Sequence, residues 1–167
     1  RLSPKVPIYS KDNLDVFEEP IRSIIDQDGK VVSPGHSYIL IADPARGVHG
    51  DYSAFCVIDI TEDVYRVVAK FRDNKISPML FPTVIHTVCR NFNNAWALVE
   101  INDNGQQVAD ILHHELEYEH ILYISRGKNG QVASGGFGGG VSQNGVRTDK
   151  LVKRVGCSNL KAVSYTH

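Results

Sequence analysis

An α/β domain with a mixed sheet flanked by helices is the fold class that three observations predict. Two uninterrupted apolar runs, Tyr38-Ile39-Leu40-Ile41-Ala42 and Ala95-Trp96-Ala97-Leu98-Val99, read as buried strands, and each ends on an acid, Asp43 and Glu100. Around them, segments with strand-like patterns alternate with segments whose apolar residues recur at helical spacing. The chain has 167 residues, 42% of them hydrophobic and 22% charged, enough to bury one core without disulfides or structural metal.

The elements follow in order. Residues 1–36 hold four of the seven prolines and only short apolar pieces, and read as a loosely structured lead-in to a domain spanning 37–167. Strands are expected at about Ser37 to Ala42, Ser53 to Ile60 and Tyr65 to Phe71. The last two are joined by the polar turn Thr61-Glu62-Asp63, so three consecutive antiparallel strands are the simplest reading. Uninterrupted apolar runs predict a central strand covered on both faces. Ser77-Pro78 reads as an N-cap followed by proline at the first helical position, and Leu80, Val84 and Val88 continue a helix to about Asn91, bent at Pro82.

After the Glu100 strand, Asn102-Asp103-Asn104-Gly105 gives a turn and cap signal, and Val108, Ile111, Leu112 and Leu116 predict a helix. Ile121-Leu122-Tyr123-Ile124 fits a further strand, and the glycine- and serine-rich stretch Gly127 to Gly145 a mobile loop. From Arg147 to about Lys161 helical periodicity returns, with Leu151 and Val155 on one face and Lys150, Arg154 and Lys161 on another. This order of strands and helices is typical of ribonuclease H-like folds, although a fold alone does not confer activity.

Net charge is −1, but the charge is segregated. From His120 onward seven basic residues (Arg126, Lys128, Arg147, Lys150, Lys153, Arg154, Lys161) face one acid, Asp149; the first 119 residues hold the remaining 11 basic and 18 acidic residues. That polarity suits an anion-binding surface, with a solvated basic helix as the structural alternative, and makes those seven the candidate DNA-binding residues, since Lys and Arg contact phosphates without regard to sequence. No stretch approaches the roughly 20 apolar residues of a membrane helix. Cys56, Cys89 and Cys157 lie far apart without a Cys-x-x-Cys, which argues against a disulfide framework or thiolate zinc site and for a reduced, cytosolic setting. The run Gly135-Gly136-Phe137-Gly138-Gly139-Gly140 has no following Gly-Lys-Ser/Thr, so it is not a phosphate-binding Walker loop.

The acids carry the chemistry. Phosphodiester hydrolysis with two divalent cations needs carboxylates converging on metals about 3.5–4 Å apart, and two strand-end acids fit that requirement. Asp43 and Glu100 are the first candidates for catalysis and metal binding. Asp51 follows Asp43 across the loop Pro44 to Gly50 and is a third, with a turn-capping role as its structural alternative. Oxygen donors favour Mg²⁺ or Mn²⁺ over zinc. His49 receives no role, and the adjacency of His113 and His114 points them to different faces of the helix after Glu100. Trp96 reads as core, and no serine sits in a nucleophile-elbow context.

On these residues the segment from about Tyr38 to Lys161 resembles the nuclease domain of the large terminase subunit of tailed bacteriophages, the DNA-packaging motor. The resemblance rests on Asp43 with Gly47 and Gly50-Asp51-Tyr52, Val57-Ile58-Asp59-Ile60-Thr61, Val99-Glu100-Ile101-Asn102 with Gly105, Leu116-Glu117-Tyr118-Glu119, and Val155-Gly156-Cys157-Ser158-Asn159-Leu160-Lys161. It implies a ribonuclease H-like fold and metal-dependent cutting of concatemeric viral double-stranded DNA in the cytoplasm of the infected host. It also implies Asp43 and Glu100 as the first two catalytic acids, with Asp51 a further one. The implied partners are a terminase ATPase domain, a portal protein and a small terminase subunit. The family's third catalytic aspartate lies beyond the Gly156-Cys157-Ser158 segment, and the chain ends at His167 without it, so the C-terminal part of the domain is expected to be missing. The rival expectations are a catalytically silent DNA-binding or motor-docking module, and another ribonuclease H-like enzyme such as a junction resolvase.

Overall fold

The computed structural model describes residues 11–46, 50–102, 104–127, 130–135 and 143–145. Its centre is a five-stranded mixed sheet built from β1 (Leu14–Val16), β4 (Tyr38–Asp43), β5 (Ser53–Asp59), β6 (Arg66–Asp73) and β7 (Trp96–Val99), in the order β1-β6-β5-β4-β7. β4, β5 and β6 form the expected antiparallel meander, and β7 joins β4 in parallel. A right-handed crossover through a helix is the usual way to place two parallel strands side by side. Here that connection carries α1 (Phe81–Asn91).

Strand period two sorts the sheet's residues into two faces. One face carries Leu40, Ala42, Phe55, Val57, Ala69, Phe71, Ala97 and Val99, all buried. Against it pack Phe81, Val84, Ile85, Val88 and Cys89 of α1, and Val108 and Ala109 of α2 (Gly105–Asp110). Phe55, Phe71 and Phe81 stack with ring centroids 5.0–6.1 Å apart, which pins the first turn of α1 under β5 and β6. Losing such a buried ring costs about 3–5 kcal/mol. The opposite face is open: Ile41 is exposed and Ile39, Cys56 and Ile58 are half-buried. The apolar run in β4 is therefore covered on one face among the described residues, not on two.

The lead-in contributes structure that its composition hides. β1 adds an edge strand, pairing Leu14 with Phe71 and Val16 with Ala69. Residues Ile24–Ile25 (β2) and Val31–Ser33 (β3) form a small separate hairpin. Residues 20–37 are then tied to the end of the sheet remote from Asp43. The Ile21 N–H donates to the Tyr38 hydroxyl at 3.0 Å, and the Asn93 amide donates to the Ile21 and His36 carbonyls at 2.8 and 2.9 Å. At the same end Asp59, only 4% exposed, lies 2.6 Å from His36 Nδ1, 3.5 Å from Arg66 Nη2 and 3.0 Å from the Thr61 N–H. Burial alone would raise this carboxyl. Its hydrogen bonds with Thr61 and His36, together with the His36 charge, outweigh that and hold it at about 2.

Other elements also depart from the sequence reading. α1 starts at Phe81, because Ser77 caps a preceding turn: its Oγ and carbonyl accept from Leu80 N–H at 3.3 and 3.0 Å. Pro82 falls in the first helical turn, where its missing N–H breaks no bond, so it has no ladder to bend. The helix after Glu100 passes from α2 into one π turn, Ile111–Glu115, and there the rings of His113 and His114 meet edge to face, 4.6 Å apart. Trp96 is half-buried against His120, with centroids 5.0 Å apart. The Gly127 to Gly145 stretch contains strands where a mobile loop was expected. β8 (Leu122–Gly127) pairs with β9 (Gly130–Gly135) and β10 (Gln143–Asn144) in a second antiparallel sheet. The Arg147 to Lys161 helix falls outside the described residues. Among those described, no helix is long and apolar enough to cross a membrane.

Candidate functional site

β4 and β7 run parallel with Ala42 opposite Val99, and the Glu100 N–H donates to the Ala42 carbonyl at 2.8 Å. One step further along each strand stand Asp43 and Glu100. Because Ala42 and Val99 point into the core, alternation turns Asp43 and Glu100 to the open face, one strand spacing of about 4.8 Å apart in backbone position. Two chain segments more than fifty residues apart thus deliver carboxylates to one spot at the C-terminal ends of neighbouring parallel strands. Open α/β sheets bind ligands at that end.

The sequence pattern puts these acids at the ends of fully buried strands, where an unpaired charge is costly. The structure places Asp43 exposed and Glu100 half-buried, so neither side chain is sealed in the core. Local contacts hold them. The Asn102 amide donates to Glu100 Oε1 at 2.6 Å and fixes the carboxylate's orientation. In the sequence Asn102 reads only as part of a turn, and a polar residue two positions after a strand-end acid is the signal that points to its role. The backbone turns back so closely that Gly105, at the start of α2, has no room for a side chain: a Cβ there would lie 1.8 Å from the Glu100 carbonyl oxygen. On the other strand, the Ala45 N–H donates to Oγ of buried Ser53 at 3.0 Å, which fastens the chain leaving Asp43 to the start of β5.

Asp51 is exposed, two residues before β5 and at the same end of the sheet as Asp43. It is separated from Asp43 by a loop of which residues 47–49, His49 included, lie outside the described set. Among the described residues no group of three His, Cys, Asp or Glu side chains is placed to hold a metal ion. Asp43 and Glu100 stand as a pair of carboxylates at this sheet end, and among the described residues Asp51 does not join them as a third. Of the candidate DNA-binding residues, Arg126 lies on β8, and Lys128, Arg147, Lys150, Lys153, Arg154 and Lys161 are outside the described residues.

The surroundings suit an extended ligand. Beside Asp43 the open face runs across β5 and β6 through Ala54 to Arg72, whose guanidinium carbon sits 3.7 Å from the centroid of the Tyr52 ring. An open groove of about 610 Å³ lies on the helix side, lined by Met79, Asn104, Gln106, Gln107, Asp110 and His114 among others, and includes neither acid.

Residues 40–136 match the family model described as the terminase RNaseH-like domain. Among solved structures, the chain is similar to the large terminase nuclease from thermophilic phage G20c, and to the same nuclease with bound magnesium. Each is 13% identical, with a TM-score of 0.40 and coverage of 81% of this chain and 84% of that one.

Proposed function

The chain belongs to the family of terminase ribonuclease H-like domains, and from that premise we propose that it is a divalent-metal-dependent endonuclease that cuts concatemeric viral double-stranded DNA during genome packaging. The observation that carries this reading is the parallel register of β4 and β7, which sets Asp43 and Glu100 side by side on an open surface. A duplex is too wide for an enclosed pocket, and an exposed strand end admits it. Asp43 and Glu100 would hold Mg²⁺ or Mn²⁺. The bound ion supplies a polarised phosphoryl oxygen and an acidified water at neutral pH.

The chain's own residues then have separate roles. The Asn102 amide keeps one Glu100 oxygen engaged and so restrains the carboxylate. The Ser53 hydrogen bond with Ala45 holds the loop base so that Asp43 keeps its place when a charged ligand arrives. Terminase ATPase, portal and small-subunit partners belong to the same proposal.

Incubating supercoiled plasmid with the chain in Mg²⁺ or Mn²⁺, with chelator and Asp43→Ala controls, tests the reading. Nicking is expected that needs metal and falls to background in Asp43→Ala. Plasmid that stays intact while DNA binding persists would overturn the nuclease reading in favour of a DNA-binding or motor-docking module. That second reading draws on the absence of a third metal-directed acid among the described residues.

A further inference from the structure

We propose that Arg72, held over the Tyr52 ring, is a phosphate-binding residue that seats duplex DNA on the open face of the sheet beside Asp43 and Glu100. The inference rests on the nuclease reading and adds to it a substrate contact outside the carboxylate pair. Register places the residue. Asp43 pairs with Ala54, and Ala54 pairs with Arg72, so the three lie in one row across β4, β5 and β6. The row beside it, Ala42, Phe55 and Phe71, is buried in the core, which turns the Asp43 row outward. Ala54 has the smallest side chain that still marks the face, so within this row only a methyl group lies between the acid and the guanidinium.

The state of the guanidinium argues for a ligand. The other described cations of β6 are committed: Lys70 Nζ lies 3.3 Å from Asp15, and Arg66 Nη2 lies 3.7 Å from Glu18 and 3.5 Å from Asp59. Arg72 is exposed and, among the described residues, forms no ion pair; its contact is the Tyr52 ring, 40% exposed, at 3.7 Å. The aromatic ring restrains the guanidinium without using its N–H groups in an ion pair, and a guanidinium fork is suited to grip a phosphate with two parallel hydrogen bonds. Two strand spacings separate the backbones of Asp43 and Arg72, about 10 Å. At that separation Arg72 would hold a phosphate near the bond cut at the carboxylates but not the scissile one. Such a contact orients the duplex without reading its sequence.

The test measures binding of a labelled duplex by fluorescence anisotropy over a range of KCl, without Mg²⁺ or Mn²⁺. It compares the full chain with its Arg72→Gln and Arg72→Lys variants, alongside their melting temperatures and the plasmid assay. Removing one phosphate contact should make the slope of log affinity against log salt shallower by about 0.9. Arg72→Gln should show that change and several-fold weaker binding with an unchanged melting temperature. Arg72→Lys should restore the slope and only part of the affinity, since an ammonium cannot form the paired contact. An Arg72→Gln variant with wild-type slope and affinity, or one whose loss tracks a lower melting temperature, would overturn the proposal while Asp43-dependent nicking left the nuclease reading standing. A wild-type chain that neither binds nor nicks DNA would overturn both.

Discussion

At the residue scale, a buried carboxylate remote from the candidate catalytic acids ties the lead-in to the sheet. Asp59 sits in a buried cluster with His36, Thr61 and Arg66 at the end of the sheet remote from Asp43, and its carboxyl is held at about 2. It belongs to the stretch Val57-Ile58-Asp59-Ile60-Thr61 that carries part of the family resemblance, and its contacts give it a structural role, binding the segment that enters β4 to the β5–β6 turn. Because its folded-state value lies below the ordinary carboxylate value, it contributes stability that is complete above about pH 4 and is lost as pH falls toward 2. A shift of this size corresponds to about 2 kcal/mol. Denaturant unfolding at several pH values should show Asp59→Asn less stable than the parent by about that amount at pH 7. The two should converge by pH 2, and parallel curves would mean that Asp59 does not tie these segments together. Its strand-end position was legible in the sequence. Its partnership with His36 was not, because that contact depends on where the lead-in returns to the sheet.

At the element scale, the antiparallel meander was legible because polar turns and period-two patterns are local signals, and β4 to β6 have both. What failed was anything set by tertiary neighbours or hidden by composition. β1 is three residues long and gains its definition only by pairing with β6. β9 sits in a glycine- and serine-rich stretch, although Asn129-Gly130 beside it is a known hairpin signal. The start of α1 moved because Ser77 caps a turn before the helix. The close approach of α2 to the end of β7 was equally invisible, and it carries a prediction. Alanine suits a helix interior better than glycine by about 1 kcal/mol, yet at Gly105 its Cβ would meet the Glu100 carbonyl oxygen, a backbone atom that cannot swing aside. Gly105→Ala should therefore destabilise the fold by about 2 kcal/mol or more by thermal or denaturant unfolding. It should also lower plasmid nicking, because relief requires moving the strand end that bears Glu100. Unchanged stability would show that the helix start has slack.

At the scale of the whole molecule, the carboxylate pair and the positive charge are divided between different parts of the chain. The first 119 residues carry 11 basic and 18 acidic side chains, while the remainder carries 7 and 1. An acidic sheet end repels a polyanion unless positive charge elsewhere offsets it, so under the proposed function the acidic and basic regions would act together. This segregation was readable from composition. The assembly of the acid pair was not fully so, because the β4–β7 register joins residues that no local pattern connects. If the basic segment supplies sequence-independent attraction, replacing Lys150, Lys153 and Arg154 together with glutamine should weaken binding to unrelated duplexes by the same factor. The log affinity against log salt slope should become shallower by about 2.7, near 0.9 for each phosphate that is no longer neutralised. Nicking at saturating DNA should persist if, as proposed, Asp43 and Glu100 carry the chemistry. Anisotropy titrations with two duplexes of unrelated sequence, paired with the plasmid assay, separate these effects. A loss confined to one sequence would assign the basic segment to base recognition, and an unchanged slope would move the phosphate-binding surface to another part of the chain.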